Sequence, residues 1–130
     1  MKLLLDTPVL LWWAGGDRRL SSSTRDLIAS GEHEVVVSAA SFWEIAIKRS
    51  LGRIDIKLEE LLATAEADGF ADLPVRAAHT LHLAALPPLH SDPFDRLLIA
   101  QAIAETARLV TRDDSILQYT SVEGFLSLRV

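Results

Sequence analysis

The sequence predicts an α/β domain of three layers, a mainly parallel sheet between helices, and three observations predict it. Short apolar runs at Lys2–Leu5, Glu34–Val37 and Arg108–Thr111 read as buried strands. Segments with helical spacing separate them, the alternation that produces a parallel sheet. The segment Pro93–Ala107 is apolar nearly all round, which a helix tolerates only when it is central.

The elements follow in order. After the first strand, Thr7-Pro8 reads as an N-cap with Pro at the first helical position, opening a helix through Leu10, Leu11 and Trp13 that Gly15-Gly16-Asp17 breaks. A second helix starts at Ser23, with Asp26 as its capping-box partner, and ends before Gly31. Ser38 to Leu51 is helical, with Phe42, Trp43, Ala46 and Ile47 as the apolar stripe and Gly52 closing it. Leu58–Ala67 is a helix closed by Gly69, and Phe70–Leu73 a short strand. Val75–Leu83 is a helix opened after Pro74, Leu86-Pro87-Pro88 a loop, Ser115–Gln118 a helical turn and Phe125–Arg129 an edge strand. No repeat or interdomain linker interrupts residues 1–130, which read as one domain.

Composition narrows the class. With 130 residues and 49% of them apolar, the chain can bury a core without a disulfide or structural metal. It has no cysteine, which excludes a disulfide scaffold, a zinc ribbon, a thiol catalyst and an iron–sulfur protein, and suits a reducing compartment. MKLLLD is no signal peptide, and no apolar run approaches the ~20 residues of a membrane span, so a cytoplasmic location is expected. Thirteen basic residues face 18 acidic ones, a net charge of −5 that argues against nucleic acid unless the acids have a task of their own.

In a parallel α/β sheet, ligands bind outside the carboxyl ends of the strands. Acids occupy those junctions here. Asp6 ends the first strand, Glu44 lies in the first turns of the helix after the second, Asp92 and Asp95 stand at the mouth of the central helix, and Asp113 and Asp114 follow Arg108–Thr111. Capping explains several of them singly: Ser41-Phe42-Trp43-Glu44 matches a capping box, Asp92 precedes Pro93 as an N-cap, and Asp113 or Asp114 can cap the turn that follows. Asp6 has no such task if Thr7 is the cap. Carboxylates gathered from separate segments repel one another and raise their pKa values unless a cation compensates. Hard oxygen ligands without His or Cys select Mg²⁺ or Mn²⁺, the equipment of metal-assisted phosphodiester hydrolysis. With Asp6, Glu44, Asp95 and Asp113 set aside, the remainder of the chain carries only −1. Lys48, Arg49, Arg53, Arg96 and Arg112 lie close to these acids in sequence and are candidates for phosphate contacts.

Four blocks, LLLDTPVLLWW at 3–13, VSAASFWEIAIK at 37–48, LPPLHSDPFDRLLIAQA at 86–102 and LVTRDDSILQY at 109–119, resemble the PIN-domain ribonucleases, above all the VapC-type toxins of bacterial toxin–antitoxin pairs. The resemblance implies a PIN-like fold and a catalytic and metal-binding set of Asp6, Glu44, Asp95 and Asp113 holding Mg²⁺ or Mn²⁺. It places Thr111 as the hydroxyl residue beside the fourth acid and favours Asp113 over Asp114 through the T-x-D spacing. It implies endonucleolytic cleavage of RNA, often a tRNA or ribosomal RNA, leaving a 5′-phosphate. It also implies inhibition by a cognate VapB-type antitoxin, and a homodimer. Pro8 stands where relatives frequently have His.

Other features have plainer expectations. His79 and His82, three apart on a helix, read as surface or half-buried residues, and His90 as loop packing with a possible substrate contact. Trp12 and Trp13 diverge by about 100° on their helix, so one is expected in the core and the other exposed. An exposed Trp suits a partner, so an apolar groove including Trp12 or Trp13 is the expected antitoxin surface. Another acid-cluster phosphohydrolase would want a paired acid on the first strand and a late Lys, both absent. A non-catalytic module is disfavoured because all four acids are present.

Overall fold

A computed structural model describes residues 1–130. Its five strands are β1 (Lys2–Leu5), β2 (Glu34–Ser38), β3 (Ala71–Leu73), β4 (Arg108–Thr111) and β5 (Leu126–Arg129), all parallel, in the order β3-β2-β1-β4-β5. The helices are α1 (Thr7–Gly15), α2 (Ser22–Ala29), α3 (Ala39–Ser50), α4 (Leu58–Ala67), α5 (His79–Ala85), α6 (Pro93–Ala104) and α7 (Asp114–Leu117), with a 3₁₀ turn at Gln118–Ser121. No helix is long and apolar enough to cross a membrane.

Both faces of the sheet are buried, as a parallel sheet requires. Successive strand residues point to opposite faces. Leu4, Val36 and Leu109 join one core with Leu98, Ile99, Ile116 and Tyr119. Leu3, Leu5, Val35, Val37 and Val110 join the other with Val9, Leu10, Ile28, Ile45 and Leu61. Thus α6 and α7 cover one face and α1 to α4 the other. Each fully buried Leu or Ile contributes roughly 1.5–3 kcal/mol, so the central strand β1, with three fully buried leucines, is the anchor of the fold.

Caps differ from the sequence expectation in an instructive way. Asp6, not Thr7, is the N-cap of α1, its Oδ1 accepting the Val9 N–H at 2.9 Å. Thr7 instead donates its hydroxyl to Ser41 Oγ at 3.0 Å, a buried bond that ties α1 to α3. Ser21, not Ser23, caps α2. Ser38 caps α3, so Ser41 is interior to the helix and no capping box binds Glu44. The buried face of α3 is Ala40, Ser41, Glu44 and Ile45, while Trp43 is 60% exposed and Ile47 also reaches solvent. The helix expected from Val75 begins only at His79, after a turn closed by the His79 N–H on Arg76 O, in which the Arg76 N–H donates to His79 Nδ1. Pro93–Ala104 is shorter than expected, the chain leaving it through Thr106 at φ +51°. A buried chain of bonds joins the layers: Ser38 Oγ donates to Gln101 Oε1 at 2.6 Å, and Gln101 Nε2 donates to Pro74 O and faces His79.

Candidate active site

In register, Leu5 lies between Val37 of β2 and Val110 of β4, so the next residue, Asp6, emerges at the centre of the sheet's carboxyl edge. The edge then receives Glu44 from the second turn of α3, Asp95 from the first turn of α6 and Asp113 from the turn after β4. Four separated segments therefore bring the four predicted acids toward one end of the sheet.

Asp6 is 1% exposed. Its Oδ1 is held by the Val9 N–H, but Oδ2 is buried and lacks a partner of good geometry. Burial pushes its carboxyl up to about 7; the nearby Thr111 hydroxyl and the Val9 amide oppose this, and the charges of Asp95 and Asp113 add to it. Glu44 is 6% exposed, with Oε2 accepting from Lys48 Nζ at 2.8 Å and Oε1 buried without a partner. Asp95 is pushed up to about 6, first by burial and then by Asp92, with smaller contributions from Asp113 and Glu44 and an opposing bond from His90. The acids thus feel one another's charge. Asp113 caps α7 through Ser115 and donates its own N–H to Thr111 Oγ1 at 3.0 Å. Asp114 turns outward to Arg129, which separates it from the group. Asp92 is the N-cap of α6, accepting from Phe94 and Asp95.

The chemistry of this donor set suits a hard cation: two buried carboxylate oxygens have unfilled acceptor capacity, and two carboxyls are raised by crowding and burial. As the side chains lie, no three His, Asp or Glu converge closely enough to hold one ion. The acids are neighbours in charge before they are neighbours in coordination.

The cations are placed differently from one another. Arg112 lines a shallow depression of about 170 Å³ with Asp6, Pro8, Trp12 and Asp113, at the mouth of the acid group. Arg96 is spent inside the fold, donating to Pro87 O, Leu86 O and the Tyr119 hydroxyl. Arg49 holds Asp55 O and Ile56 O, and Lys48 is paired with Glu44. Neither Trp12 nor Trp13 is core and neither is fully exposed. Trp12 lies between the guanidinium groups of Arg19 and Arg112, at 5.1 and 4.9 Å from its ring centre. Trp13 packs on Phe70 and donates to Asp68 Oδ2. The exposed tryptophan is Trp43, edge-on to Phe94. Trp12 also lines a groove of about 580 Å³ with Thr7, Pro8, Leu11, Ile54 and Ile56, which shares Pro8 and Trp12 with the depression at the acids.

Two residues meet beside Asp95: His90, expected in loop packing, and Tyr119, which sequence reasoning does not single out. His90 Nε2 lies 3.3 Å from Asp95 Oδ2, and its Nδ1 lies 2.9 Å from the hydroxyl of Tyr119, which is fully buried. His90, five residues before Asp95, was visible as a neighbour in the sequence; Tyr119, 29 residues from His90, gave no local signal. His79 is neither at the surface nor half-buried: it is 1% exposed and paired with Glu105, whereas His82, one turn further along α5, is half-buried.

Comparison with known proteins agrees with this architecture. Ribonuclease VapC22 of Mycobacterium tuberculosis is 32% identical over 113 residues, 85% of this chain and 86% of that protein. The fold is similar to that of VapBC2 from Rickettsia felis bound to a promoter DNA fragment, with a TM-score of 0.74, 18% identity and 99% and 98% of the two chains covered. It is similar also to DNA-bound VapBC from Salmonella typhimurium, with a TM-score of 0.67, 15% identity and 99% and 98% coverage. The sequence matches the PIN domain family over residues 3–121, and the chain belongs to that family.

Proposed function

We propose that this chain is a metal-dependent endoribonuclease, the toxin of a toxin–antitoxin pair, that hydrolyses RNA phosphodiester bonds at the carboxyl edge of its sheet. One observation carries the reading: Asp6, at the end of the central strand, keeps a buried carboxylate oxygen without a partner and a carboxyl pushed up to about 7. The cap of α1 uses only Oδ1, so it gives no account of the buried Oδ2. The similarity to a ribonuclease and the likeness in fold to VapBC proteins support the same reading.

Asp6, Glu44, Asp95 and Asp113 would hold Mg²⁺ or Mn²⁺. A divalent ion there supplies positive charge toward a phosphate and lowers the pKa of a bound water. The chain's own residues do the rest. The Asp6 cap bond and the Thr7–Ser41 bond fix the start of α1 against α3 and so set Asp6 against Glu44. Thr111 fixes the backbone of Asp113. Arg112, at the rim of the depression, donates to Val130 O and Arg19 O and is the guanidinium nearest to where a phosphate would sit, whereas Arg96 serves the loop before α6. Water attacks phosphorus and the 3′ oxygen leaves with a proton, giving a 5′-phosphate and a 3′-hydroxyl.

The substrate class is RNA, a tRNA or ribosomal RNA, met in the cytoplasm. The protein works as a homodimer and is restrained by a VapB-type antitoxin seated in the groove at Trp12, whose apolar wall is Pro8, Leu11, Ile54 and Ile56. Trp12→Ala should weaken co-purification with that antitoxin, while Trp13→Ala, which loses the Phe70 and Asp68 contacts, should act on stability first. The test of the activity is incubation of purified protein with total RNA in Mg²⁺, Mn²⁺ or EDTA, followed by mapping of the cut ends. Ion-dependent cuts carrying 5′-phosphates are expected; cleavage that persists in EDTA overturns the proposal.

A further inference from the structure

Asp95 is unlike the other three acids in having a side-chain partner that is itself held from behind. The Tyr119 oxygen receives the Arg96 Nη1–H at 2.8 Å and the His90 backbone N–H at 3.2 Å. Those two donors fill its lone pairs, so its single proton points at His90 Nδ1, 2.9 Å away. With Nδ1 accepting, the ring proton sits on Nε2 and is donated to Asp95 Oδ2 at 3.3 Å. Arg96 also clamps Leu86 O and Pro87 O, and Gln118 donates to Leu89 O, so the loop that carries His90 is anchored along its length. Tyr119 and Asp113 lie on one short segment after β4, so the arrangement joins the two sides of the acid group.

We infer that His90 is a positioning residue for Asp95: oriented by Tyr119 and Arg96, its Nε2–H fixes Asp95 Oδ2 and leaves Oδ1 to turn toward a divalent cation. This rests on the metal reading proposed above. It gives Arg96 and Tyr119, both without any contact to the ion, a defined part in ion affinity. Partners that orient a ligand in this way are worth about 10- to 100-fold in metal affinity.

The experiment is titration of metal-free protein with Mn²⁺, followed by electron paramagnetic resonance of the free ion, for the wild type and for His90→Gln, His90→Asn, His90→Ala, Tyr119→Phe and Asp95→Asn. Melting in EDTA confirms that each variant is folded. Gln places its amide near Nε2 and keeps the donor to Asp95 while losing Tyr119; Asn places its amide near Nδ1 and does the reverse. His90→Gln should bind Mn²⁺ within about threefold of wild type, His90→Asn and His90→Ala should bind about tenfold or more weakly, and Tyr119→Phe should fall between. Undiminished binding in His90→Asn or His90→Ala overturns the inference, as does an equal loss in all three His90 variants. If Asp95→Asn loses the ion while every His90 variant keeps it, the metal reading stands and this inference alone fails. If the wild type does not bind Mn²⁺, the metal reading fails and takes this one with it.

Discussion

The two ends of β1 treat charge in opposite ways. At its start, Lys2 lies 3.7 Å from Glu105, which also receives His79 Nε2 at 3.2 Å, so the carboxylate there has two nitrogen partners. At its end, four residues on, Asp6 has a backbone amide on one oxygen and no good partner on the other, with two more carboxylates adding to its repulsion. Pairing at the first end is what a fold does with half-buried charge. Leaving Asp6 and Asp95 without a cationic side-chain partner at the second end costs stability, a cost that the proposed ion would offset. On the function proposed above, the contrast separates residues kept for folding from residues kept for chemistry without any appeal to their position in a motif.

The largest effect that sharpens the contrast is on activity. Asp6→Asn retains a side chain able to cap α1 but loses the charge, and RNA cleavage should fall about a hundredfold or more in a protein that still folds, judged by circular dichroism and rates on one RNA. A folded Asp6→Asn protein that cleaves at the wild-type rate breaks the comparison at once.

Next is the pH dependence of stability. Asp6 is raised from 3.8 to about 7 in the folded state, so the folded protein holds a proton that the unfolded chain releases at lower pH. The stabilisation is present below about pH 4 and is lost as pH rises through 7, at a cost on the order of 4 kcal/mol for a shift of this size. Asp95, raised to about 6, adds a smaller loss that is complete somewhat earlier. Urea unfolding of metal-free protein between pH 5 and 8 should therefore show falling stability, and the slope should flatten in Asp6→Asn. A wild-type profile that rises over this range contradicts the assignment.

The opposite end should respond with the opposite sign. Glu105→Ala leaves the buried His79 Nε2–H without its partner and should destabilise the protein by about 1–3 kcal/mol, read in the same unfolding experiment. Asp6→Asn should stabilise the metal-free protein at pH 8. Two changes of the same sign would show that both carboxylates are structural. The smallest effect belongs to Trp43→Ala, which gives up the edge contact with Phe94 and little burial, and should cost roughly 1 kcal/mol or less in melting experiments.

Much of this was legible in the sequence where a single local force decides. The apolar runs of β1, β2 and β4 needed only their composition, since both faces of a parallel sheet are dry. Leu58–Ala67 was bounded correctly because its stripe and Gly69 agree. The acids were found because strand ends in such sheets face one edge. The misplacements arise where tertiary contacts choose between local options. Thr7 and Asp6 are both good N-caps, and Thr7 was withdrawn by a hydroxyl bond to Ser41, 34 residues away. The capping box that Ser41 and Glu44 offer does not form, because Ser38 has already begun the helix, which leaves Glu44 buried with one oxygen on Lys48 and the other without a partner. Phe42 and Trp43 are both large aromatics, yet the sheet takes the face of Ile45 and leaves Trp43 in water. His90 and Tyr119 meet only because the loop before α6 folds over the turn after β4, a contact no helical or strand period encodes.

The central claim is that the acids at the end of β1 keep carboxylate oxygens unpartnered in order to receive a cation. Its most direct measurement is the unfolding free energy of wild type and Asp6→Asn at pH 8, each in EDTA and in excess Mn²⁺. In EDTA the variant should be the more stable of the two. Mn²⁺ at a hundredfold excess over its dissociation constant should then raise the wild type by roughly 2.7 kcal/mol and leave Asp6→Asn nearly unchanged. A wild-type protein indifferent to the ion, with an Asp6→Asn variant less stable than it in EDTA, would contradict the account and return Asp6 to the role of a helix cap.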